Sequence, residues 1–385
     1  MIRKVIFLIS SPLNERDAHR FGLEIIRRNG FDLEVWDLTE ILNPDRFRTY
    51  VPPDKSHFNE CRFFPGKADV LEEIRRLAGD VFVVCILGYD PRSHFVFRAL
   101  SKCGIPYGLY SYHYPSFNIG KKDVMSRILN IAPAKLAAYL FNAVPSRYLG
   151  VRPANVVLVL GGEFKSQKFA VGNNTRILWS HNFDYEIYSR LIKECVPQND
   201  RMGVFLDQAF PFHPDAIGQP LFTAHDYYPR LCRFFDYIEE KYGVSMVIAA
   251  HPRSQYETQD HLFGRRPVIR GKTAELVRES GFVILHDSAS INYPVLFRKP
   301  MIFITTDLLQ KSRMGLTEFM ASLFDKEVLN IDQSHDLNWT GELSVNDRLY
   351  DEYMNTYIKK AGTADTEAWQ VFADCLKEQG AAGLM

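Results

Sequence analysis

GFVILHDSASINYPVLFRKPMIF, residues 281–303, decides how the second half of this chain folds. A short apolar run, GFVIL, ends in His286, Asp287, Ser288 and Ser290. The segment INYPVLFRK follows, then Pro300 and a second apolar run, MIF. Runs this short, bounded by polar and proline junctions, fit strands buried on both faces and joined by a short helix. Ser and Asp at the handover from strand to helix satisfy the free N–H groups of a helix's first turn. The same N–H groups, with the helix dipole, also attract a phosphate. Taken alone, the stretch favours the cap.

The alternation extends both ways along the chain. KVIFLIS (4–10), FDLEVWDL (31–38), DVFVVCILG (80–88), IPYGLYSY (105–112) and NVVLVLGG (155–162) read as strands. DAHRFGLEIIRRNG (17–30), ADVLEEIRRLAG (68–79) and RSHFVFRALSKCG (92–104) read as helices between them. Residues 43–66 form a long excursion. The polar segment ECVPQND (194–200) marks a boundary, after which the pattern repeats. There MGVFLDQ, VSMVIAAHP and GFVILHD are the strands, and HDYYPRLCRFFDYIEEKYG and TAELVRESG are helices. Alternation of this kind is the signature of parallel sheets covered by helices. The expected fold is therefore α/β: Rossmann-like domains at 1–195 and 200–340 facing a central cleft, with C-terminal helices in 341–385 packing back across the junction. Ligands of open α/β sheets sit at the carboxyl ends of the strands.

Composition limits the function classes. The 385 residues are 46% apolar and 24% charged, with 46 basic and 46 acidic side chains. A balanced charge argues against a chain whose main task is gripping nucleic acid. The six cysteines are scattered without metal-like spacing and suit a reducing cytosol. Cys85 and Cys232 lie in apolar runs and are read as buried thiols. No run reaches the roughly 18–20 apolar residues of a membrane span. VMSRILNIAPAKLAAYLFNAV (124–144), interrupted by Arg127, Pro133 and Lys135, suits a helix packed on its own domain, or alternatively one resting on a membrane surface. The expected location is the cytoplasm, with the inner face of the membrane as the alternative.

The order of motifs in 202–307, with AAHPRS (249–254) before HDSAS (286–290) and a following Lys-Pro strand, resembles bacterial glycosyltransferases with two Rossmann domains (GT-B). Within that group it is most similar to the CMP-sugar-dependent sialyl- and Kdo-type transferases that build capsules and lipopolysaccharide. CDP-glycerol-dependent polyol-phosphate polymerases carry a similar late serine motif. The resemblance implies a nucleotide-sugar donor, CMP-linked by preference, held by the second half. It implies a glycan or glycolipid acceptor on the first. His251, with Pro252, would meet the donor phosphate, Arg253 would add a fixed charge, and Ser288 and Ser290 would bind the same phosphate. Glu275 falls where related enzymes hold the nucleotide ribose. Asp287 would cap the helix or orient His251.

Asp207 and Gln208 end the strand FLDQ, where they suit either donor contact or loop capping. An inverting transfer also needs a base for the acceptor hydroxyl. The candidates are Asp17 and His19 after the first strand, Asp90 in LGYDPRSH, and Asp184 in SHNFDYE. Tyr110, Tyr112, His113 and Tyr114 suit stacking on sugars or filling a loop. No D-x-D motif is present, so the chemistry is expected to need no metal and no cofactor beyond the donor. GRRPVIRGKT (264–273) has six residues between its glycines where a phosphate loop needs four, and GG at 161–162 is not a dinucleotide fingerprint. Rival readings are a CDP-glycerol-type transferase, a sugar-nucleotide 2-epimerase, and a non-catalytic scaffold of a polysaccharide assembly complex.

Overall fold

The computed structural model describes all residues except 50–57, 59, 113, 116–140, 142–143, 165–169, 213–221, 253, 255, 257–260, 310, 334–336 and 383–385. Among the described residues the strands form two sheets. The first holds β1 (Lys4–Ile9), β2 (Asp32–Asp37), β3 (Cys61–Phe63), β4 (Val81–Cys85), β5 (Tyr107–Tyr112), β6 (Val156–Leu160) and β7 (Arg176–Ser180). Their order is β3-β2-β1-β4-β5-β6-β7. The second holds β8 (Asn199–Leu206), β9 (Ser245–Ala250), β10 (Val268–Arg270), β11 (Ser280–Leu285), β12 (Met301–Thr305) and β13 (Val328–Asn330), in the order β10-β9-β8-β11-β12-β13. Every pairing is parallel. Each sheet thus has the Rossmann order: the chain builds outward from its first strand, then returns to that strand and builds the other way.

The inner strands β1, β4, β6, β9, β11 and β12 are almost wholly apolar and buried because helices cover both faces. Along β1, Ile6 and Leu8 belong to one core while Val5, Phe7 and Ile9 belong to another, the two-residue period of a strand. In β11, Val283 and Leu285 face one core and Phe282 and Ile284 the other. A strand in such a sheet has no wet face, so the alternating polar pattern of a half-exposed strand is missing.

The chain divides into two compact units, residues 1–113, 121–183 and 359–385 in one and 114–120 with 184–358 in the other. The first division falls at 183/184, ahead of the polar segment at 194–200. The helix Phe183–Leu191 goes with the second unit because Tyr185, Ile187, Tyr188 and Leu191 pack on that unit's core. The C-terminal helices likewise do not act as one layer. Asp347–Tyr353 buries Tyr350 and Tyr353 in the second unit, whereas Ala368–Ala382 buries Trp369, Phe372 and Leu376 in the first.

Two local differences have plain causes. The helix expected over 17–30 is two helices, Glu15–Arg20 and Leu23–Arg28, broken at Gly22. Gly22 has φ +56, and a Cβ there would lie 2.2 Å from the Trp369 ring. Only glycine takes both that backbone conformation and that closeness without strain. Cys85 is buried as expected, whereas Cys232 is half-buried, its thiol donating to the Leu262 carbonyl at 3.4 Å. No helix of the described residues is long and apolar enough to cross a membrane. The stretch 124–144 lies almost wholly outside the described residues.

Trp369 is the anchor of the returning helix: it is 2% exposed and stacks on Tyr110 with centroids 5.7 Å apart. Its Nε1–H donates to the Arg20 carbonyl at 2.8 Å. Trp369→Ala is expected to cost about 3–5 kcal/mol, the range for truncating a large buried aromatic. A urea titration followed by far-UV circular dichroism checks this; an unchanged midpoint would show that the helix adds nothing to the first unit's core.

Candidate functional site

The second sheet reverses direction between β8 and β11, which are neighbours. Chain leaving β8 leads by way of the helix Ala224–Tyr242 to β9 on one side, while chain leaving β11 leads to β12 on the other. Loops that part in opposite directions from adjacent strand ends leave the crevice in which open α/β sheets bind their ligands. Register brings the loops level: Leu206 of β8 pairs with Ala249 of β9 and with Leu285 of β11. The first polar residues past those strands are Asp207, His251 and His286. Sequence-predicted Asp207, Gln208, His251, Pro252, Ser288 and Ser290 therefore gather at one edge of one sheet.

Asp207 is 4% exposed and its oxygens are occupied by the protein. Oδ1 accepts from the Ala209 N–H at 3.0 Å. Oδ2 accepts from the His251 N–H at 3.4 Å and from the Tyr256 hydroxyl at 2.5 Å. This is the loop-capping geometry, and it ties the turn carrying His251 to the end of β8. Burial pushes the carboxyl's pKa up, partly offset by the hydrogen bonds from Tyr256 and the main chain. A buried carboxyl whose two oxygens both accept from the protein does not present itself to a donor phosphate. Tyr256, absent from the sequence reading because a loop tyrosine carries no pattern, is its main side-chain partner and also meets the Tyr228 hydroxyl at 3.1 Å.

Gln208 differs from its neighbour. Its Oε1 is buried without a hydrogen-bond partner, at the first turn past the strand. Buried amides are nearly always bonded, so an orphaned one at a ligand edge is a group awaiting a partner. His251 is half-buried, and its carbonyl accepts from the Ser254 N–H at 2.9 Å and Oγ at 2.7 Å, which closes the turn His251–Ser254. Arg253 lies outside the described residues.

In the HDSAS loop, the buried His286 is a core histidine. Its Nδ1 meets the Ile304 carbonyl at 2.7 Å, which requires a proton there, and its Nε2 then accepts from the Tyr227 hydroxyl at 2.9 Å. Ser288 caps the turn Ala289–Ile291, its Oγ accepting from the Ser290 N–H at 3.2 Å. That leaves its hydroxyl proton to donate. Ser290 is half-buried, with its hydroxyl unbonded among the described residues. Asp287 is buried, and its carbonyl accepts from the Tyr114 hydroxyl at 2.9 Å. Glu275, in the first turn of the helix Thr273–Glu279 after β10, lies along the same carboxyl edge and is half-buried.

The candidate bases part company. Asp90 accepts from the N–H groups of Arg92 and Ser93 at 2.8 and 3.1 Å and from the Arg92 guanidinium at 2.7 Å. Burial raises its pKa, but the Arg92 guanidinium and those N–H groups outweigh it and hold the carboxyl below the usual range. A cap so well solvated by donors is a poor proton acceptor. Asp184 accepts from the buried Asn292 amide at 2.6 Å, and Asn292 in turn accepts from Tyr353 at 3.2 Å, an internal tie of the second unit. Asp17, in the helix after β1, is half-buried, and its carboxylate accepts from the Asn14 amide at 2.9 Å, the carboxylate's one hydrogen bond among the described residues. His19 is exposed. His113 lies outside the described residues. No group of three or more His, Cys, Asp or Glu among the described residues is arranged to hold a metal ion.

No protein-family profile and no curated protein sequence matches this chain. Among solved structures it is similar to Acinetobacter baumannii MurG at 10% identity, over 97% of this chain and 99% of that one, with TM-score 0.45. It is similar to Methanocaldococcus jannaschii UDP-GlcNAc 2-epimerase at 12% identity, over 98% and 100%, TM-score 0.45. It is also similar to the glycosyltransferase SnogD of Streptomyces nogalater at 12% identity, over 99% and 100%, TM-score 0.44. The fold assignment stands on strand order rather than on these likenesses.

Because burial raises the pKa of Asp207, its contribution to stability is full below the ordinary aspartate range and is lost as pH rises through the raised value. Asp207→Asn is expected to flatten that part of the stability profile, read as urea midpoints between about pH 4 and pH 8. A parallel, unflattened profile would place the titrating group elsewhere.

Proposed function

We propose that this chain is a glycosyltransferase that takes a sugar from a nucleotide-activated donor, CMP-linked by preference. The observation that carries the reading is the meeting of three polar loops, after β9, β8 and β11, at the switch position of the second sheet. A hydroxyl donor (Ser288), an unbonded hydroxyl (Ser290), an orphaned amide (Gln208) and a strand-end imidazole (His251) suit an oxyanion with attached hydroxyls. The HP-before-serine order of the sequence supports the CMP-linked donor over other nucleotides.

Breaking the bond between sugar and phosphate leaves negative charge on the departing nucleotide. A donor already positioned at that oxygen stabilises the transition state more than the ground state. His251 supplies that hydrogen bond or proton, and Ser288 and Ser290 hold the phosphate. Glu275, farther along the edge, serves the ribose. The first unit receives the acceptor, a growing surface glycan or glycolipid at the cytoplasmic side of the membrane. Asp17 or His19 takes the proton from its hydroxyl. The donor is the only small molecule the reaction requires.

The test is a thermal-shift series with CMP, CDP, UDP and GDP. CMP is expected to raise the melting temperature most, and Ser288→Ala to lose most of that gain. Stabilisation by UDP alone would favour a 2-epimerase or a UDP-sugar transferase, by CDP alone a polyol-phosphate transferase, and by none a scaffold. His251→Ala is expected to cut turnover of a CMP-sugar about 100-fold or more at an unchanged melting temperature. Turnover near the parent's would remove His251 from the mechanism.

A further inference from the structure

Arg20, in the first unit, is a partly buried arginine with no ion pair among the described residues. It ends the helix Glu15–Arg20 and is only partly exposed. Its guanidinium lies 5.1 Å from the ring centre of Tyr112 and 5.9 Å from that of Tyr110. Its Nε–H donates to the Tyr110 hydroxyl at 3.3 Å. A guanidinium has five N–H donors. The four on Nη1 and Nη2 have no acceptor among the described residues, and no carboxylate comes within 4.0 Å. Exposed arginines of this helix and the next are solvated whether paired, as Arg27 is with Glu24 and Glu60, or without an ion pair among the described residues, as Arg16 and Arg28 are; Arg20 differs in being partly buried.

The position is built rather than incidental. Trp369 stacks flat on Tyr110 and bonds the Arg20 carbonyl, so the last helix of the chain fixes both the arginine's main chain and its aromatic bed. Tyr110 and Tyr112, two apart on β5, face the same way and lead toward the carboxyl edge of the sheet. Drawing a guanidinium partly out of water costs free energy, and two aromatic faces return only about 0.5–2 kcal/mol each. An oxyanion accepting two parallel N–H bonds from the open end of the fork would complete the arrangement.

We propose that Arg20, bedded on Tyr110 and Tyr112, binds an oxyanion carried by the acceptor, a carboxylate or a phosphate on a sugar. The inference rests on the transferase reading and names the acceptor class: an acidic glycan. Asp17 lies three residues before Arg20 on the same short helix. One group thus holds the acidic substituent while its neighbour is near enough to take a proton from an adjacent hydroxyl. A neutral acceptor would leave the guanidinium unpaired.

Isothermal titration of the full-length protein with glucuronate, glucose 1-phosphate and neutral methyl glucoside tests this. At least one acidic probe is expected to bind about tenfold or more tightly than methyl glucoside, the worth of a charge-assisted pair. Glucuronate alone would identify a carboxylate, glucose 1-phosphate alone a phosphate. Arg20→Gln is expected to lose the preference. Arg20→Lys is expected to keep part of it, since lysine retains the charge without the fork. Ser288→Ala is expected to keep it in full, because the probe sits in the first unit. Acidic probes binding no better than the neutral one would overturn the proposal, as would an undiminished preference in Arg20→Gln or its loss in Ser288→Ala. The comparison among probes on the parent protein needs no variant to fold. CMP stabilisation of Arg20→Gln is expected to match the parent's, so failure of the nucleotide reading and failure of this one are separate observations.

Discussion

A parallel strand covered by helices on both faces admits no polar side chain until it ends. The inner segments of β8, β9 and β11 obey this, and the site follows from it. β8 runs apolar to Leu206 and then meets Asp207; β9 runs to Ala250 and meets His251; β11 runs to Leu285 and meets His286. Register holds those three ends level, so residues far apart in the chain arrive at one edge together. The return of the chain to β8 after β10 then parts the loops. Strand chemistry collects the polar groups, and strand order opens the space before them.

The polar groups so collected divide into those that build the edge and those left to act. Asp207 and His286 build it. Asp207 closes its own loop and fastens the turn of His251, a residue 44 positions later. His286 links the Tyr227 hydroxyl to the end of β12 through the Ile304 carbonyl. Their oxygens and nitrogens are satisfied by protein, so they hold the scaffold still. Gln208 Oε1, the Ser290 hydroxyl and the hydroxyl proton of Ser288 have no hydrogen-bond partner among the described residues. A site whose supports are rigid and whose contacts are unbonded is preorganised for a polar ligand.

The first unit shows the same division. Asp90 is consumed by capping, whereas Arg20 keeps the open end of its fork. Its neighbourhood depends on residues from three distant parts of the chain: the helix after β1, the strand β5, and Trp369 near the end. The returning helix Ala368–Ala382 therefore completes a core and shapes a surface at once.

Fold class and the positions of most strand ends are legible in the residue pattern alone. Short apolar runs such as VIFLI and VIL, bounded by polar or glycine junctions and alternating with helical patterns, fit strands wetted on neither face, and the residue that breaks each run then lies at a rim. The residue pattern did not yield β3, β10 and β13, three-residue strands whose existence depends on a neighbour's edge rather than on their own pattern. It placed the boundary in the polar segment 194–200, where tertiary packing moved it to 183/184, because four apolar side chains of one helix find their core in the second unit. Above all, spacing along a chain shows that a carboxylate stands at a strand end but not what approaches it. Whether Asp207, Asp90 and Asp184 are bonded inward, and whether Gln208 and Arg20 remain open, was decided only by contacts between residues distant in sequence. A hydrogen bond satisfies a lone pair or leaves it free according to what folding brings within about 3 Å.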